Sequence, residues 1–306
     1  MSGSQTPPAN VEAALRLALK RLDPASEYVA HERLTGGVSA DVYSVTARAC
    51  TDEELRVVVR VLSSEPGSGQ PAEVEFALLS DLRERGLKVP KPLLVDVSGD
   101  CFDRPYLMLE YVAGKIDFDL ANGVLNARKM AREMAAFHAA GKPNRDLGLP
   151  HVCDLFKDAL SEIPDSDEPA KKVRRALGPV WPLPDRNPMT LLHGDYWTGN
   201  VLWQDGEIAA VIDWEDASLG DPVADVAIAR LEQAFNAGFE AMEAFTVEYR
   251  SLSDIDWADL AFWDLVATVR PLRYLSDWGL DDADEAEMRS VLSEFIDRTV
   301  RRISVP

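Results

Sequence analysis

One stretch, Leu191 to Asp225, constrains this chain of 306 residues more than any other. It reads LLHGDYWTGNVLWQDGEIAAVIDWEDASLGDPVAD. Val201-Leu202-Trp203 runs toward Asp205-Gly206, a dipeptide that favours a two-residue hairpin turn because both central residues must take positive φ. The return run Ile208 to Ile212 is apolar throughout, as in a strand covered on both faces. The hairpin is therefore expected to bring Asp213 back beside Asn200, while Asp195 stands at the other end of the loop that Asn200 closes. Two oxygen ligands and a separate carboxylate converge in this reading.

Such a set suits phosphoryl transfer. Metal ions must neutralise the phosphate charge, and another carboxylate must orient the attacking hydroxyl and accept its proton. Oxygen donors favour magnesium over zinc, and the four histidines (His31, His138, His151, His193) form no clustered pair. His193 is read as a brace for the loop, not as the base. Asp195 and Asn200 keep the spacing of the catalytic Asp and metal-binding Asn of protein kinases. HGD at 193–195 and IDWE at 212–215 depart from the protein-kinase motifs and resemble the aminoglycoside phosphotransferase family, with its choline kinase-like small-molecule kinases. GDPVAD at 220–225 continues the resemblance. It implies an α+β, two-lobed protein-kinase-like fold: a small N-terminal β-sheet lobe for nucleotide, 1–111, and a larger, mostly helical C-terminal lobe for catalysis and acceptor, 112–306.

The same resemblance assigns further roles. Asp195 becomes the catalytic base, and Asn200 and Asp213 hold Mg2+. Gly36, Gly37 and Ser39 lie in a turn between two expected strands; alone this is an ordinary hairpin, but its place in the order puts it over the triphosphate of ATP or GTP. Arg60 is the one charge in the run Val57–Leu62. It reads either as an edge Arg reaching solvent or as the phosphate-binding cation, in place of the usual Lys. The helix expected over 72–82 supplies its carboxylate, Glu75 by resemblance, with Glu73 as the fallback on a different face. Glu110 and Val112 would offer backbone groups to the nucleotide base, and Met108 either lines the back of that pocket or belongs to the core. The leading acceptor is an aminoglycoside-type antibiotic or a similar cationic or sugar compound. The alternatives are a metabolite kinase for an amino alcohol, homoserine-like or sugar substrate, and a nucleotide-binding module without turnover. Asp195, Asn200 and Asp213 are all present, against the last.

The remaining chain adds boundaries. With 52 acidic and 32 basic residues the formal charge is −20, which makes nucleic acid a poor partner. The charge either draws in a cationic substrate or serves solubility alone. Cys50, Cys101 and Cys153 form no CxxC pair. The start MSGSQTPPAN lacks the pattern of a secretory signal, and no run nears the ~18 apolar residues of a membrane span. A soluble, cytoplasmic protein is expected, and nothing in the sequence specifies an oligomeric state. Residues 124–140 form an amphipathic helix with Leu125, Met130, Met134 and Phe137 as its core stripe. Short helices and loops follow over 141–188, then helices over 224–233, 238–250, 256–275 and 282–302. Asp221 and Asp225 are read as bracing groups, and Asp277 and Asp281 as acids that could meet a cationic acceptor.

Overall fold

In this computed structural model, which describes residues 11–34, 40–49, 53–63, 70–164 and 167–303, the β-branched run Val57–Val61 lies in the middle strand of an antiparallel sheet. The strands are β1 (Glu27–Leu34), β2 (Ala40–Arg48), β3 (Glu54–Leu62), β4 (Pro92–Asp96) and β5 (Tyr106–Glu110), in the order β1-β2-β3-β5-β4. Strand alternation divides β3 between two faces. Val57, Val59 and Val61 join Tyr43, Val45 and Met108 in a core closed by Ala14, Leu15, Ala18 and Leu19 of helix α1 (Val11–Leu22). Arg60 and Leu107, paired in register, take the other face, where Glu75 of α2 (Ala72–Glu84) meets Arg60.

Contacts divide the chain into two compact units. The first holds the described residues up to Gly114 together with Ala209–Glu215, and the second holds Lys115–Ile208 and Asp216 onward. Two backbone bonds fix the returning segment in the first unit: Val211 N–H donates to the Lys88 carbonyl at 2.7 Å, and Gln70 N–H to the Glu215 carbonyl at 3.2 Å.

The second unit is mostly helical. Its elements are α3 (Gly123–Ala140), α4 (Val152–Leu155), α5 (Ala159–Glu162), α6 (Glu168–Leu177), α7 (Pro222–Leu252), α8 (Leu260–Ala267), α9 (Val269–Tyr274) and α10 (Asp282–Ile303). β6 (Thr190–Leu192) pairs with β9 (Ser218–Gly220), and β7 (Val201–Gln204) with β8 (Glu207–Val211). The β7–β8 turn has φ of +52° at Asp205 and +77° at Gly206, the primed geometry expected of Asp-Gly. α3 packs against α7, and Ala127, Met130, Ala131, Met134 and Phe137 are among its buried residues. Leu125 does not belong to that stripe and is exposed. It stands two residues from both Gly123 and Ala127, which are buried, and so on the opposite side of the helix. α7 joins the two helices expected over 224–250, with a non-helical break at Gly238 (φ +84°). Asp281 caps α10 by accepting from the N–H groups of Ala283 and Asp284, and Asp277 is exposed. Among the described residues no helix is long and apolar enough to cross a membrane.

One buried ion pair fastens α7 to α8. Arg230 donates from Nε and Nη2 to the two oxygens of Asp264 at 2.9 and 3.2 Å, and also reaches Thr246. Both charged side chains are almost fully buried. Removing the acid leaves a buried cation unbalanced. Asp264→Ala is therefore expected to cost about 3–5 kcal/mol of stability, read by urea unfolding. A loss below about 1 kcal/mol would show that the pair is not what balances Arg230.

Candidate active site

The loop at 193–195 is shaped by one buried carboxylate. Asp225, on the first turn of α7, accepts the N–H of His193 at 2.8 Å and that of Gly194 at 2.9 Å. His138 Nε2 lies 3.1 Å from the same carboxylate, and its Nδ1 2.7 Å from the hydroxyl of Tyr249. Burial alone would raise the Asp225 carboxyl, but these hydrogen bonds and the adjacent histidines hold it below the usual range. His193 is fully buried, and its Nδ1 accepts the N–H of Asp195 at 3.3 Å. Gly194 takes φ +81°, with its Cα close against the Asp216 carbonyl. The loop thereby presents Asp195.

Asn200 then fixes the acid. Its Nδ2 donates to Asp195 Oδ2 at 3.0 Å and to the Asp195 carbonyl at 2.9 Å. With the amide nitrogen committed, Oδ1 is the end left for a cation, as an oxygen-preferring metal requires. Asp195 Oδ1 meets Nη1 of Arg270 at 3.3 Å, and Arg270 Nη2 donates to Asp216 at 2.8 Å. Arg270 and Asp195 line a cavity with Glu232, Phe156, Leu231 and Trp278. Burial and the charge of Asp195 push the Glu232 carboxyl up to about 8, against the opposing pull of Arg270 and Asn236.

A second cluster lies in the first unit around Arg60. The guanidinium, buried on the sheet, contacts Glu75 and donates to Asp213 Oδ1 at 2.8 Å and Glu215 Oε2 at 3.2 Å. Burial would lower its pKa, but Glu75, Asp213 and Glu215 together raise it well above the ordinary arginine value. Glu75 is buried, whereas Glu73 is exposed. Asp213 has φ +65°, a left-handed conformation uncommon outside glycine and tolerated best by Asp and Asn.

The structure thus gathers Arg60, Glu75 and Asp213 in one cluster and Asp195 and Asn200 in another. Gly36, Gly37 and Ser39 lie outside the described residues. Met108 belongs to the core under α1. This corrects its expected place lining a nucleotide pocket, because alternation turns it to the sheet face opposite Arg60. Leu107 and Leu109, in register with Arg60 and Val58, occupy the Arg60 face instead. Glu110 N–H is taken by the Lys91 carbonyl at 2.9 Å, while Val112 N–H has no hydrogen-bond partner among the described residues. Sequence reading missed Glu215 and Asp216, though both sit in the same IDWED run as Asp213. It gave no role to Glu232 or Arg270, which no motif spacing connects to Asp195.

The profile of the phosphotransferase enzyme family, APH, matches residues 31–263. A homoserine kinase of Gluconobacter oxydans (strain 621H) is 30% identical over 234 residues, 68% of this chain and 72% of that protein. Acyl-CoA dehydrogenase family member 10 of Mus musculus is 28% identical over 200 residues, 58% of this chain. The chain spans only 18% of that protein's length. Among solved structures, aminoglycoside phosphotransferase APH(4)-Ia in complex with AMP-PNP and hygromycin B superposes with a TM-score of 0.68 at 17% identity, covering 96% of this chain and 99% of that one. Choline kinase LicA from Streptococcus pneumoniae gives 0.66 at 17% identity, covering 95% and 100%. These likenesses show the protein-kinase-like fold.

The loop geometry is open to a direct check. A Cβ added at Gly194 would lie 2.3 Å from the Asp216 carbonyl oxygen, on a backbone with positive φ. Gly148 also has positive φ, +67°, but open space around it. Gly148→Ala should cost roughly 1–3 kcal/mol, and Gly194→Ala more, because backbone must move as well. Equal losses in thermal unfolding would contradict the close approach.

Proposed function

The chain belongs to the phosphotransferase enzyme family, APH, and we propose that it moves the γ-phosphate of ATP, or GTP, to a hydroxyl of a small molecule, with Asp195 as the base. The observation that carries this is the hold on Asp195: Asn200 fixes one of its oxygens, and the other lies at a cavity. In the proposed step the acceptor O–H gives its proton to Asp195 and the oxygen forms a bond to the γ-phosphorus. The bond from that phosphorus to the bridging oxygen breaks, and its electrons leave with the nucleoside diphosphate. Asn200 Oδ1 and the Asp213 carboxylate would hold magnesium, which neutralises phosphate charge. Arg60, kept charged by Glu75, would contact phosphate oxygens, and its planar fork can meet two at once. The Glu110 carbonyl and Val112 N–H would meet the edge of the base, with Leu109 in place of Met108 on the Arg60 face. Gly36, Gly37 and Ser39 would cover the triphosphate.

The acceptor divides the reading. An aminoglycoside-type antibiotic is one candidate. A metabolite hydroxyl is favoured by a specific observation: the cavity beside Asp195 is walled mainly by Phe156, Ile228, Leu231, Pro271 and Trp278, with few polar groups for a polyhydroxylated polycation. The homoserine kinase relative supports the same side.

Two variants test the proposal. Asp195→Asn should lower turnover about 10²–10⁴-fold while nucleotide still binds, measured as release of ADP against a panel of hydroxylated compounds. Unchanged turnover would remove Asp195 from the mechanism. Asp213→Ala should abolish the magnesium-dependent part of nucleotide affinity in titration calorimetry, and full affinity would refute its assignment as a ligand.

A further inference from the structure

We infer that Arg270 selects the acceptor: the cavity beside Asp195 takes a small hydroxy compound with an apolar body, whose carboxylate pairs with the Arg270 guanidinium. This rests on Asp195 being the base, as proposed above. Among the described residues, four side chains bring charge or hydrogen-bonding groups to the cavity wall: Asp195, Glu232, Arg270 and Trp278, the last through its indole N–H alone. Everything else there is hydrocarbon, aromatic ring or backbone, which favours a largely apolar acceptor body.

The polar groups then decide the charge. A guanidinium has five N–H donors, and two are committed, to Asp195 and Asp216. The others have no partner among the described residues, and the side chain is 44% exposed. The guanidinium is a permanent cation, and its contacts with Asp216 and Asp195 favour that charge further. In a chain of net charge −20, a permanent cation with spare donors faces the acceptor. Glu232, the remaining acid on the wall, has its carboxyl pushed up to about 8 by burial and by Asp195, so near neutral pH it acts as a donor and offers little to an ammonium group. A carboxylate meets the planar fork of arginine with two parallel hydrogen bonds, whereas an amine is repelled by it. Position agrees with this. Arg270 touches Oδ1 of Asp195 and Asn200 holds Oδ2, so an acceptor anchored on the guanidinium lies beside the carboxylate proposed to take the proton.

The test uses matched acceptors with the full chain, ATP and magnesium: ω-hydroxyhexanoate, its amide and aminohexanol, with the octyl series repeated and kanamycin as a polycationic probe. The wild type is expected to use the carboxylate with kcat/KM roughly ten- to a hundredfold above the amide, and aminohexanol least well. Arg270→Gln should bring the carboxylate-to-amide ratio to about one, while Arg270→Lys retains part of it. The ratio is taken within one preparation, so it does not depend on how much protein folds or on any shift of Asp195. A wild type that prefers the amide, aminohexanol or kanamycin overturns the inference and leaves the kinase reading standing. A preference that survives in Arg270→Gln also overturns it. If no acceptor in the series or the wider panel is phosphorylated, the kinase reading fails and this inference with it.

Discussion

A guanidinium buried on a β-sheet needs carboxylates around it, since an isolated charge in the interior costs several kcal/mol. Arg60 is such a group. It draws Glu75 from α2 and both Asp213 and Glu215 from a segment about 150 residues further along the chain. That requirement explains why Ala209–Glu215 belongs to the first unit although the chain on both sides belongs to the second. It also sets the local chemistry: one cation faces three carboxylates, and burial raises the Glu75 carboxyl. The left-handed backbone at Asp213 fits the same picture, because a strained residue persists only where its surroundings hold it.

In the second unit the equivalent constraint is Asp225. By taking two consecutive backbone N–H groups it shapes the turn through Gly194, and His193 then receives the N–H of Asp195. Asp195 therefore rests on a fully hydrogen-bonded support, with Asn200 fixing one of its oxygens. As the proposed base, a carboxylate held in this way would need little reorganisation when a proton arrives. Two buried histidines serve this support. His138 and His193 each spend ring nitrogen on positioning, and neither is placed as the base.

Local rules made much of this legible. Asp205-Gly206 specified a primed turn, and the run Val57–Leu62 marked β3. Where the reading failed, the cause is geometric. Met108 and Leu109 are both apolar neighbours on one strand, and only the pairing register shows which shares a face with Arg60. Leu125 is apolar and lies near the start of α3, but the buried stripe there runs through Gly123, Ala127 and Met130. Arg270 and Glu232 come to Asp195 from separate helices through tertiary packing. No spacing in the sequence encodes that meeting, and a pattern search sees only an arginine among aromatics and a surface-like glutamate. The crossing of Ala209–Glu215 into the first unit was likewise invisible, since a single boundary is the simplest division of a linear chain.

In the proposed function the carboxamide of Asn200 and the carboxylate of Asp213 act on one divalent cation beside a bound nucleotide. A crystal grown with manganese and a non-hydrolysable ATP analogue tests it most directly, because manganese is located by its anomalous scattering alone. An anomalous peak is expected about 2.1 Å from Asn200 Oδ1 and from an Asp213 oxygen, with nucleotide phosphate completing the coordination. A peak bound to neither residue, or a nucleotide seated with no metal beside them, would contradict it.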